Sequence, residues 1–128
     1  MNDRVSRIPA PVFPGISDSV RVSAGDLVFL SGVVALRADG TPAHDFEEEV
    51  GLVFEALRAA LERAGATFSD IVRFNIYIVG LTPERVATFR EVRDRYVDPD
   101  HVPASTLVGI AALVSGAFQI EIDAIAAV

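Results

Sequence analysis

Apolar and polar positions along this chain follow two periods, and the change from one to the other marks its elements. In "DIVRFNIYIVG", Val72, Phe74, Ile76 and Ile78 fall on one side and Arg73, Asn75 and Tyr77 on the other, the alternation of a half-buried strand. The end of the chain repeats it. Phe118, Ile120, Ile122 and Ala124 oppose Gln119, Glu121 and Asp123 within a strand predicted over Ala117–Ile125. In "HDFEEEVGLVFEALRAALERAG" the period becomes helical, with Val50, Val53, Phe54, Leu57, Leu61 and Ala64 on one face. Asp45 is placed to cap this helix, Glu48 to complete a capping box, and Gly65 to end it. Gly51 is a small cost inside it.

A second helix is predicted over "TPERVATFREVRDRYV", with Thr82 as N-cap and Pro83 in its first turn. Val86, Phe89, Val92 or Arg93, and Tyr96 mark its inner side. "VRVSAGDLVFLSG" reads as a hairpin, Val20–Val22 and Leu27–Ser31 joined by the turn Ser23–Asp26. Leu27 to Leu30 are apolar without alternation, so that strand is expected to be covered on both faces. A further turn falls at Asp39-Gly40, and Ser105–Leu113 supplies another strand, joined to the last one near Ser115-Gly116. The order β-β-(β)-α-β-α-β-β with two amphipathic helices predicts an α+β two-layer sandwich, a sheet covered on one face. The second face is expected to meet neighbouring subunits, with polar clefts between them.

Composition adds limits. The chain has 128 residues, enough for one domain, with residues 1–15 as a Pro-rich irregular arm. It is 51% hydrophobic. A domain this small hides such a surplus poorly, which again favours burial between identical copies. No apolar run reaches the ~18 residues of a membrane span, and the N-terminus lacks the apolar stretch of a signal peptide. The absence of cysteine removes disulfides and thiolate metal sites. A cytoplasmic protein without membrane partner fits these features. The net charge of −7 argues against a nucleic-acid partner. Every one of the 11 basic residues is arginine, so a lysine Schiff base and a P-loop lysine are excluded. His44 and His101 are the two histidines, and their spacing fits neither a metal site nor a triad.

Four stretches, "VRVSAGDLVFLSG", "ALRAALERAGATFSDIVRFNIYI", "PASTLVGIAAL" and "IEIDAIAAV", run in the order and at the spacing of a known family. Over roughly residues 15 to 127 the chain resembles the Rid proteins (YjgF/YER057c/UK114), the reactive-intermediate deaminases. The resemblance implies a chorismate-mutase-like subunit with a mixed sheet under two helices, a homotrimer, and ligand sites at the subunit interfaces. It implies hydrolysis of small-molecule enamines or imines to a carbonyl compound and ammonia, without a cofactor or metal. It also places residues. Ser31-Gly32 and Glu121 match the family, and the glutamate would direct water onto the imine carbon. The family's Pro-Ala-Arg-Ser is here Pro103-Ala104-Ser105-Thr106, so the arginine that grips a substrate carboxylate is missing. The family's tyrosine falls at Ile16 and its asparagine at Arg90. This is a divergent branch.

Each of these positions has a plainer reading. Glu121 could be a paired carboxylate on the polar strand face. Ser105 and Thr106 suit strand entry after Pro103 as well as hydrogen bonding to a ligand. Arg90 could supply from the helix the cation absent at position 105, or be a surface arginine pairing with Glu91 or Asp94 or across the trimer. Arg73 and Arg21 are lesser candidates of the same kind. The enzyme reading has Glu121 as catalytic residue, with Ser31, Gly32, Arg90, Ser105, Thr106, Leu107 and Ile16 around the substrate. The alternatives are a metabolite-binding or regulatory trimer and, third, an endoribonuclease, which the acidic chain disfavours.

Overall fold

The computed structural model describes residues 4–128. Its strands are β1 (Val5–Pro9), β2 (Ser17–Val22), β3 (Leu27–Val33), β4 (Ile71–Val79), β5 (Ala104–Ile110) and β6 (Ile120–Ala127), with helices α1 (Phe46–Arg63) and α2 (Pro83–Arg93). The strands form one mixed sheet in the order β1-β2-β5-β4-β6-β3. β4 and β5 run parallel, with α2 as the connection between them, and β6 pairs antiparallel with both β4 and β3. Both helices lie on one face, which is the expected two-layer α+β sandwich.

The cap acts as expected and the capping box does not close. Asp45 accepts the Glu48 backbone N–H at 2.8 Å, but Glu48 reaches past the N-cap to the N–H of His44 at 2.7 Å. Ala66 N–H bonds Leu61 and Gly65 N–H bonds Glu62, a Schellman end with Gly65 at φ +75°. Ala64 is therefore an exposed cap, and Ala66 goes into the core instead. Phe54 sits at the centre of the helix–sheet seam. It stacks on Tyr96 at 4.9 Å and meets the edge of Phe74 at 6.3 Å, contacts of about 0.5–1.5 kcal/mol each beyond area burial.

Strand pairing departs from the sequence reading in several places. The predicted hairpin does not form. β2 pairs with β1 and, through Ser17 and Ala104, with β5, whereas β3 lies at the far edge against β6. The arm is not wholly irregular, since Val5–Pro9 pair antiparallel with β2 as β1. This gives the third strand ahead of α1, at the start of the chain, and at Asp39-Gly40 the chain turns as expected. β5 ends at Ile110 and never pairs with β6, so the segment near Ser115-Gly116 is a crossing rather than a hairpin turn. A register shift between Ile71 and Arg73 takes Val72 out of the helix-side core and puts Ile71 there. β3 alternates after all: Val28, Leu30 and Val33 pack on the core while Leu27 and Phe29 stay exposed, Phe29 at 71%. No helix among the described residues is long and apolar enough to cross a membrane.

Candidate functional site

α2 is anchored at its start. Thr82 Oγ1 accepts the Arg85 N–H at 3.1 Å, and the Arg85 guanidinium donates to Val79 O and, at 3.2 Å, to Gln119 Oε1. The last turn of the helix carries Arg90 and Arg93, three residues apart and on one face. The chain after β1 is anchored too. Ser17 N–H donates to Pro103 O at 2.9 Å, and Ser17 Oγ donates to Val102 O at 2.5 Å. Between α2, β5 and this segment lies a cavity of about 430 Å³. Ile16, Arg90, Ser105 and Leu107 all line it, together with Phe13 and Arg93. Ser105 and Leu107 reach it as alternate residues of β5, in register with Phe74 and Ile76 of the core side. A second hollow of about 300 Å³ adjoins it, sharing Phe13, Ile16 and Ser105 and adding Asp18 and Arg73.

Arg93 is the residue at this cavity that sequence reading left unassigned. It is 7% exposed, and its Nε and Nη2 both lie 3.0 Å from Asp94 Oδ1. Its guanidinium packs beneath Gly15, where a Cβ would collide with it and where φ is +80°, so glycine is required twice over. The signal was present: Arg93 follows Phe89 by one helical turn and so falls on the buried stripe. Arg90 is exposed, and among the described residues its guanidinium has no hydrogen-bond or ion-pair partner. The acids expected to pair with it are occupied. Glu91 accepts from Arg95 at 3.4 Å, and Asp94 accepts from Arg93.

Ser31, Gly32 and Glu121 form a separate group. Glu121 is half-buried on the uncovered face of β6, opposite Tyr77 of β4. Its carboxylate lies on the backbone of Gly32, and a Cβ there would collide with Glu121 Oε2. Only glycine permits that approach. Thr106 is on this same face, in register with Asn75, and accepts from Arg73 Nη2 at 2.5 Å. Asn75 Nδ2 in turn donates to Asp123 Oδ1 at 2.7 Å. Negative charge on Asp123, and less on Glu121, raises the Tyr77 phenol above its ordinary range. Within one chain, then, Ile16, Arg90, Ser105 and Leu107 come together on the helix side, while Ser31, Gly32, Thr106 and Glu121 belong to the other side of the sheet.

A buried acid also escaped the sequence reading. Glu49 is 6% exposed, and its Oε2 accepts the backbone N–H of Gln119 at 2.6 Å and of Ile120 at 3.1 Å. It tethers α1 to the start of β6 and so holds the strand that carries Glu121. The EEE run reads as solvent-facing, yet Glu49 stands one turn before Val53 on the apolar stripe. His101 only reaches Asp98, at 3.1 Å, closing its own turn.

The two-layer sandwich is shared with proteins already known. A profile of the family described as Endoribonuclease L-PSP matches residues 15–128. The chain is 36% identical over 107 residues to the RutC family protein YjgH of Escherichia coli, covering 83% of this chain and 80% of that protein. It is 30% identical over 119 residues to a 2-iminobutanoate/2-iminopropanoate deaminase of Dermatophagoides farinae, covering 91% and 88%. A crystal structure of the Rid family protein YyfB from Yersinia pestis superimposes with a TM-score of 0.84 at 29% identity, covering 100% of both chains. The chain belongs to the Endoribonuclease L-PSP family, whose members include proteins named RutC and Rid.

Proposed function

We propose that this protein hydrolyses an imine or enamine to a carbonyl compound and ammonia, in clefts between the subunits of a homotrimer and without a cofactor. The observation that carries the reading is the Glu121 carboxylate lying against bare backbone at Gly32. A carboxylate in that position can orient a water molecule and take its proton. An enamine first gains a proton at carbon and becomes an iminium. Water then adds to the iminium carbon, forming the C–O bond as one proton passes to Glu121. The proton returns from Glu121 to nitrogen; the hydroxyl proton then passes to the freed Glu121 carboxylate as the C–N bond breaks, and ammonia leaves behind a carbonyl group. The protein supplies position and proton transfer. The similarity to a 2-iminobutanoate/2-iminopropanoate deaminase supports this chemistry.

Association of copies supports the same reading, because the two residue groups lie on opposite sides of one sheet. A neighbour bringing Ser31, Gly32, Thr106 and Glu121 to the mouth of the Ser105 cavity would unite them. Leu27, Phe29 and Val108, exposed at 48%, 71% and 40%, give such a seam its apolar content. A single subunit in sedimentation at micromolar concentration would remove the cleft and the mechanism with it.

The test is ammonia release from imines generated in situ by an amino-acid oxidase. With serine at 105, 2-iminobutanoate is expected to turn over slowly and bulkier imines faster, and Glu121→Gln to lose ~10²-fold or more. Full activity in that variant would remove Glu121 from the mechanism. A second reading, metabolite binding without chemistry, draws on the same serine, a neutral group where the family's deaminases carry a cation. Saturable binding with no acceleration of ammonia release would favour it. Ribonuclease activity is disfavoured by the net charge of −7, and salt-sensitive RNA binding is the measurement that would restore it.

A further inference from the structure

The connection between β3 and α1 closes over a hollow that the candidate site leaves unused. It lies against the first turn of α1 and the segment just before β6, and measures about 250 Å³. Leu36, Pro42, Ala43 and Phe118 give it apolar walls, Arg37 stands among them, and the buried Glu49 completes the lining. We propose that this hollow binds a small monocation, a protonated primary amine on a short branched or aromatic body, with its ammonium group on Glu49. The inference goes beyond the deaminase reading and does not rest on it.

Glu49 sets the charge of the ligand. The side chain is 6% exposed, and its Oε2 takes both backbone N–H groups, from Gln119 and Ile120. Among the described residues no donor reaches Oε1, and no cation pairs with the carboxylate. Oε1 is not sealed off, so it opens onto the hollow. A charge this deep with no counter-charge is unfavourable, and an arriving ammonium offsets it while donating to the free oxygen. Arg37 does not fill that role, because its Nη2 pairs with Glu48. With those two charges balanced, the hollow carries one net negative charge, which a monocation matches. A zwitterionic amino acid would bring a carboxylate for which no unpaired cation waits. Size sets the body. An apolar cavity of ~150 Å³ holds one benzene molecule, so a hollow of about 250 Å³ has room for an amine of roughly eight heavy atoms or fewer. The plainer role for Glu49, a tether between α1 and β6 with water in the hollow, predicts no preference among ligands.

The test is equilibrium binding to the full chain, by calorimetry or ligand-observed NMR, of three compounds with one body: 3-methylbutylamine, 3-methylbutan-1-ol and leucine. The alcohol replaces the ammonium by a neutral group of the same size, and leucine adds a carboxylate to the amine. The amine is expected to bind at least ~10-fold more tightly than either, as a charge-assisted hydrogen bond warrants, and to raise the melting temperature with its concentration. Glu49→Gln keeps an oxygen for the two N–H groups and removes the charge. It should weaken the amine by about the same factor, change the alcohol little and leave the circular dichroism spectrum intact. Four results would each overturn the proposal: equal affinities for amine and alcohol, leucine binding as tightly as the amine, a folded Glu49→Gln variant that binds the amine like the native protein, or no saturable binding of the amine up to about 10 mM. The comparison of the three compounds needs no variant and no turnover, so it stands or falls apart from the deaminase reading.

Discussion

On the helix side of the sheet, Phe74, Ile76, Ile78, Ile120 and Ile122 are at most 1% exposed and pack in one apolar cluster, with the buried Glu49 carboxylate at its edge on the Ile120 N–H. On the opposite side of the same strands, Arg73, Asn75, Tyr77, Glu121 and Asp123 are half-buried and bond or repel one another. Strands β4 and β6 supply both rows, so intrinsic strand propensity cannot be the difference. What differs is the partner: one face has two helices, and the other has none within the chain. The first face is set by packing and the second by polar pairing, and the two groups of candidate functional residues fall one on each side.

Substitutions on the two faces should therefore behave differently. Phe54→Ala removes the centre of the covered face and is expected to cost about 3–5 kcal/mol in denaturant unfolding. Phe29→Ala on the uncovered face should cost the subunit under about 0.5 kcal/mol while weakening self-association measured by sedimentation. A large loss of subunit stability in the second variant would break the contrast.

Gly32→Ala sharpens it. Glu121 must move to admit the methyl group, so ammonia release should drop ~10²-fold, equivalent to about 2.7 kcal/mol, while the melting temperature stays nearly unchanged. Glu49→Ala should do the opposite. It leaves the buried N–H groups of Gln119 and Ile120 without an acceptor, at a cost of about 1–3 kcal/mol in stability. The smallest effect is spectroscopic. Both tyrosines of the chain should ionise above the usual phenol range, Tyr77 because of Asp123 and Tyr96 because of burial and Glu55. A negative neighbour disfavours phenolate, so Asp123→Asn should lower one alkaline absorbance transition and leave the other in place.

Much of the covered face was legible in the sequence. The stripe Val50, Val53, Phe54, Leu57 and Leu61 and the alternation of Phe74, Ile76 and Ile78 emerged buried as read. Val72 is buried too but not in the helix-side cluster, because a register shift between Ile71 and Arg73 puts Ile71 there and no period announces a bulge. Glu49 was missed for a different reason. It occupies the apolar stripe of α1, but charge suggests solvent unless a distant partner is known, and its partners lie 70 and 71 residues away. Arg93 was placed on the inner side of α2 as an alternative to Val92, and both are buried. Of the candidate site, position along the strands was readable and grouping was not. Ser105 and Thr106 are adjacent in sequence yet face opposite sides of the sheet.

By itself the sequence determined whatever depends on neighbours within a turn or two: the Asp45 and Thr82 caps, the Gly65 end, the helix stripes and the two-residue alternation. Those signals are local because the hydrogen bonds and side-chain contacts behind them span three or four residues. Only the tertiary structure decided which strands pair. A hairpin between β2 and β3 looked natural from their closeness in the chain, but Leu27 pairs with Ala127, a hundred residues on, and β2 turns back to β1. Strand partners are chosen by the burial of the whole sheet under its helices, a sum over the chain that no short window contains.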